Sequence, residues 1–101
     1  MPEYPIPDMA DVQLEGVLKA LADPTRLAIV RMLADGRPRP KGEVWDAFET
    51  TKATCAHHFK TLREAGLVAY EVHGRTHDMM LRRAELDARF PGLIDAVTRD
   101  A

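Results

Sequence analysis

The sequence predicts a mainly α domain with a two-stranded β wing, a winged helix-turn-helix. Three observations carry this expectation. Residues from Thr50 to Val68 read as one helix that opens on a threonine cap and stops at Gly66. A short amphipathic segment precedes it across a tight turn, and two alternating segments joined at a glycine follow it directly. Residues 1–10 are expected to be an extended arm. Residues 11–101 form the domain, with the first and last helices at its ends.

Composition narrows the function classes. A chain of 101 residues is one domain with room for a small core. With 46% hydrophobic and 30% charged residues it reads as globular rather than disordered. No apolar run approaches the roughly 20 residues of a membrane span, so no membrane partner is expected. Residues 1–11 carry Pro2, Pro5, Pro7, Glu3, Asp8 and Asp11, which is no secretory signal. The lone Cys55 cannot form an internal disulfide, and a cytoplasmic location is expected. The net charge of −2 is unevenly spread: −4 over residues 1–23, +4 over 24–83 and −2 over 84–101. A basic middle between acidic flanks suits a central nucleic-acid face.

The elements follow in order. Pro2, Pro5 and Pro7 disfavour helix in the arm. A first helix is expected from about Asp11 to Leu21, with Leu14, Val17, Leu18 and Leu21 at i, i+3, i+4 and i+7. Asp23-Pro24 opens a second, since aspartate caps well and proline suits the first helical position. Leu27, Val30 and Ala34, widened by Ile29, Met32 and Leu33, give it the broad apolar face of a central helix. It ends at Asp35-Gly36. Arg37-Pro38-Arg39-Pro40 is expected to be a loop, because two prolines oppose a regular ladder.

A short third helix is expected from about Lys41 to Phe48, with Val44, Ala47 and Phe48 inward and Trp45 at the core edge. Glu49-Thr50-Thr51 is the turn into the long helix. There Cys55, Phe59, Leu62 and Gly66 recur at i, i+4, i+7 and i+11 on one side. Ala53, Thr54, His57, Lys60 and Thr61 lie opposite, a face with hydrogen-bonding groups, a cation, little bulk and no acid. Such a face suits base edges and phosphates, although a solvated face has a similar composition. Val68 to Val72 and Thr76 to Leu81 read as hairpin strands, with Gly74 in the turn and Arg75 near the tip. Ala84 to Arg89 makes a short helix, and Pro91 opens a last one with Leu93, Ile94 and Val97 apolar.

Leu18-Lys19-Ala20-Leu21-Ala22-Asp23-Pro24-Thr25-Arg26-Leu27, the run Thr54 to Val68, and Arg89-Phe90-Pro91-Gly92-Leu93-Ile94 together resemble the ArsR/SmtB family of bacterial winged-helix repressors. The resemblance implies a DNA-binding repressor acting on double-stranded DNA as a homodimer. It implies an interface formed by the first and last helices, carrying Leu14, Val17, Leu18, Leu21, Leu93, Ile94 and Val97. DNA contacts are expected from Lys52, Ala53, Thr54, His57, His58, Lys60, Thr61, Arg63 and Arg75. Some family members carry a Cys-x-Cys metal pair in the third helix, where this chain has Glu43-Val44-Trp45-Asp46. Others use His on the last helix, where this chain has Asp95 and Asp100 but no His. Ala56 stands where the family often has serine, which removes one hydroxyl contact.

Other readings of single residues stay in view. Cys55 on the inward stripe reads as a small core hydrophobe, with a thiol-responsive regulator as the alternative. His57 and His58 point about 100° apart and cannot readily share one metal. With His73 and His77 they form no ligand set of known spacing, so no metal or cofactor is expected. Cys55 with His58 is the sole nucleophile–base pair, and nothing resembles an oxyanion site, so an enzyme is not expected. A winged helix used only for protein contacts is the remaining alternative.

Overall fold

The second helix lies at the centre because its sequence leaves it little water-facing surface. In the computed structural model, which describes residues 4–99, α1 spans Leu14–Leu21 and α2 Pro24–Met32. The Asp23 carboxylate accepts the Arg26 N–H at 3.0 Å and Pro24 occupies the first turn, as the Asp-Pro pair predicts. Ile29, Val30 and Leu33 are fully buried. Each such side chain contributes about 1.5–3 kcal/mol of transfer free energy.

The helix-turn-helix is α3 (Lys41–Asp46) and α4 (Lys52–Glu64). Thr51 caps α4, its hydroxyl accepting the Thr54 N–H at 3.1 Å. Cys55, Phe59 and Leu62 enter the core as the stripe requires. Gly66 has φ +92°, and a Cβ there would stand 2.4 Å from Val12 Cγ2. Only glycine allows α4 to end against residue 12 and turn into the wing. The third helix is shorter than expected: Val44 is buried, Phe48 half-buried, and Ala47 exposed.

The wing is β2 (Val68–His73) and β3 (Thr76–Leu81), antiparallel, with Val68 opposite Leu81 and His73 opposite Thr76. Gly74 turns the chain at φ +59°, and Arg75 follows it. The sheet has a third member. Residues Arg39–Pro40 form β1 against Met79 and Asp78, giving the order β1-β3-β2. The expected loop is therefore a two-residue edge strand, where proline's missing N–H is tolerated.

The N-terminus also departs from expectation. Met9–Asp11 form a 3-10 turn capped by Asp8, Met9 and Val12 are buried, and α1 starts only at Leu14. The expected border between arm and domain thus falls inside one turn. Residues 1–3 of the arm, with Asp100, lie outside the described residues. The C-terminal helices are α5 (Arg83–Arg89) and α6 (Leu93–Thr98). Arg83 fastens them by donating to the Ala34 carbonyl at 2.9 Å and pairing with Asp87 and Asp95.

Candidate nucleic-acid interface

The outer face of α4 begins beside Trp45. Lys52 lies exposed with its Nζ 4.8 Å from the Trp45 ring centroid, which directs the cation along the first turn. Ala53, Thr54, Ala56, His57 and Lys60 are exposed, and residues 52–63 contain no acid. The Thr54 hydroxyl accepts from the Thr51 hydroxyl at 2.9 Å, so its own O–H stays available to donate outward. Exposed Arg75 lines a cleft of about 320 Å³ between the wing and α3, with Lys41, Trp45 and His77. Nothing local in the sequence marks Lys41 for this place. It follows an expected loop, and only the pairing of β1 with β3 brings it to the wing.

Three expected contact residues are placed differently. Arg63 is half-buried, donates to the Pro5 carbonyl at 2.8 Å and lies 5.8 Å from the Tyr4 ring centroid. It clamps the N-terminal arm instead of projecting freely. His58 is half-buried with its Nδ1 3.3 Å from an Arg26 guanidinium nitrogen. Arg26 also donates to the Ala20 carbonyl at 2.7 Å, so this histidine belongs to a link between α1, α2 and α4. Thr61 is half-buried at the helix flank. Of the nine expected positions, Lys52, Ala53, Thr54, His57, Lys60 and Arg75 remain on open surface.

The arm is held at several points. The Tyr4 hydroxyl sits 3.1 Å from His77 Nδ1, and its ring is 4.5 Å from that of Tyr70. Lys41 lies 5.3 Å from both ring centroids. Burial pushes the Tyr70 hydroxyl up to about 12, which keeps it neutral beside this cation. Arg82, itself buried, donates to the Pro7 carbonyl at 2.9 Å.

Cys55 is 1% exposed and burial raises its thiol above the ordinary range, which opposes the reactive thiolate. It is a core residue, as its place on the inward stripe predicts. The seven expected interface residues divide. Val17, Leu21 and Ile94 are buried within the single chain, which corrects their assignment to an outer surface. Leu93 and Val97 are half-buried, whereas Leu14 and Leu18 are 43% and 47% exposed. Glu43 on α3 pairs with Arg39, and Asp95 on α6 pairs with Arg83.

A capped polar helix after a short helix, backed by a hairpin with a basic tip, defines a winged helix-turn-helix of the DNA-binding regulator class. The helix-turn-helix domain family matches residues 21–71. The chain is 40% identical over 82 residues to the HTH-type transcriptional regulator YceK of Bacillus subtilis (strain 168), covering 80% of this chain and 82% of that one. It is 32% identical to the arsenical resistance operon repressor of Staphylococcus xylosus, covering 78% and 75%. The crystal structure of an ArsR family transcriptional regulator superposes with a TM-score of 0.66 at 28% identity, covering 74% of this chain and 81% of that one. The chain belongs to the ArsR family of winged helix-turn-helix transcriptional regulators, which are not enzymes. Among the described residues, no helix is long and apolar enough to cross a membrane.

Proposed function

We propose that this regulator is a cytoplasmic homodimeric repressor whose two α4 helices enter successive major grooves of an imperfect palindrome. The observation that carries this reading is the open, acid-free face of Lys52, Thr54, His57 and Lys60 beside the basic wing tip at Arg75. Lys52, Lys60 and Arg75 contact phosphate, which sets register and affinity. Thr54 and His57 reach base edges, which carry sequence preference. The exposed Leu14 and Leu18 support pairing of two copies through α1, with Leu93 and Val97 of α6 contributing at its edge. A two-fold axis then sets the half-sites about 34–36 Å apart. Repression follows the likeness to the Staphylococcus xylosus repressor.

A salt titration of binding to genomic fragments and to random duplex tests this. Affinity for both should fall steeply with salt, and genomic sites should retain a preference. Thr54→Ala and His57→Ala should each narrow that preference by roughly 1–3 kcal/mol, the discrimination supplied by one good base-edge interaction. Failure to bind either DNA at low salt would overturn the reading and favour a module for protein contacts.

A further inference from the structure

The wing carries a set of side chains that the DNA-binding reading does not use. Glu71 on β2 stands directly opposite Asp78 on β3, so two carboxylates face each other across the hairpin. Like charges in that position destabilise a pair of strands. His73, two residues along β2, projects from the same face. Its Nε2 lies 3.2 Å from Glu71 Oε1 and 3.6 Å from Asp78 Oδ2. One donor atom from each of the three residues lies within 4.8 Å of the others.

We propose that Glu71, His73 and Asp78 form a wing site for a late first-row divalent cation, with Zn²⁺ the best fit. Zinc takes imidazole nitrogen and carboxylate oxygen at about 2.0–2.2 Å, and the edge of such a tetrahedron is about 3.4 Å. The histidine–carboxylate separations fall on either side of that edge, and side-chain rotation brings the three donor atoms, all within 4.8 Å of one another, onto one ion. The backbone is fixed in advance. Asp78 belongs to the central strand, paired with Pro40 as well as Glu71. The Thr76 hydroxyl donates to the His73 carbonyl at 2.8 Å and holds the turn. Glu71 and His73 are exposed, and Asp78 half-buried, so the remaining coordination position is open to water. A divalent cation supplies two positive charges between the carboxylates and binds an oxygen of each.

The consequence for DNA rests on the proposed wing contact. The metal neutralises two negative charges near Arg75, so it should tighten DNA binding. The site itself is independent of that reading, because the free protein should bind metal. Isothermal titration of the full chain with Zn²⁺, and the visible spectrum with Co²⁺, should give one site. His73→Ala should weaken it by more than the roughly 10–100-fold typical of an indirect partner. Glu71→Gln should weaken it less, while His57→Ala should leave it unchanged. Absence of binding at submillimolar metal, equal binding by His73→Ala, or loss through His57→Ala instead would overturn the site. In the DNA titration, added Zn²⁺ should tighten binding by the wild type and not by His73→Ala. Unchanged DNA affinity with the site filled would overturn the coupling alone, whereas no DNA binding with or without metal would count against the proposed function.

Discussion

The outer faces of α4 and α1 are built on the same inner plan and present opposite surfaces. Each helix sends one side into the same core, Cys55, Phe59 and Leu62 from α4 and Val17, Ala20 and Leu21 from α1. Outside, α4 shows Lys52, Thr54, His57 and Lys60, all exposed polar groups that water solvates well. Outside, α1 shows Leu14 and Leu18 on successive turns, about half exposed. The first face can wait in solvent for a charged partner. The second loses free energy in solvent for as long as it stays uncovered. A helix's partner is thus read from what its open side would gain by being covered.

The largest effect should come from reversing the apolar face. Leu14→Lys with Leu18→Lys removes two half-exposed leucines from each copy, four across the proposed interface, and adds like charges across it. About 3–6 kcal/mol of association free energy is at stake, roughly two to four decades in Kd. Sedimentation equilibrium should show monomer at concentrations where the wild type is dimeric, with unchanged helix content because neither residue is core. An unaltered dimer would place the interface elsewhere.

The polar face can be sharpened by comparing two of its cations. Lys60 is exposed, whereas Arg63, one turn on, is tied to Pro5 and Tyr4. Lys60→Ala should weaken binding to all DNA and reduce the salt slope by about 1, the value of one phosphate contact. Arg63→Ala should leave the slope unchanged. It should instead release the arm, seen as a lower backbone order parameter at Ile6, at a cost of about 1 kcal/mol in stability. An equal reduction of slope in both variants would mean that Arg63 leaves the arm to reach DNA.

The comparison also shows which parts of the molecule the sequence could disclose. Caps and periodicity are local, so Asp23, Thr51 and the Cys55–Phe59–Leu62 stripe were legible. The leucine stripe of α1 was legible as apolar but not as divided. Leu14 and Leu18 sit about 60° from Val17 and Leu21 around the helix axis, enough to put one pair inside and the other outside. Contacts distant along the chain left no local trace. Arg63 meets Pro5 across 58 residues, Arg26 meets His58 across 32, and β1 exists only because β3 lies beside it. The Glu71–His73–Asp78 set has no ligand spacing legible along the chain, because it is assembled across strands rather than along one helix.

The smallest effect concerns the residue from which both faces are held. Arg26 reaches from the Ala20 carbonyl of α1 to His58 of α4, and Asp23 accepts its backbone N–H. That hydrogen bond holds the Asp23 carboxyl below the ordinary value of 3.8, opposed by partial burial and assisted by His58. A lowered carboxyl contributes stability that is complete above its unfolded pKa and lost as pH falls through its folded one. The cap should therefore weaken only below about pH 4. Asp23→Asn keeps an equivalent capping oxygen that does not titrate, so its stability near neutrality should match the wild type within a few tenths of a kcal/mol. Its acid limb, followed by urea unfolding from pH 5 to pH 3, should be shallower. Asp23→Ala should lose about 1 kcal/mol already at pH 7, and its acid limb should be shallower too. An acid limb in Asp23→Asn as steep as that of the wild type would show that other carboxylates govern it and that the Asp23 cap carries no pH dependence.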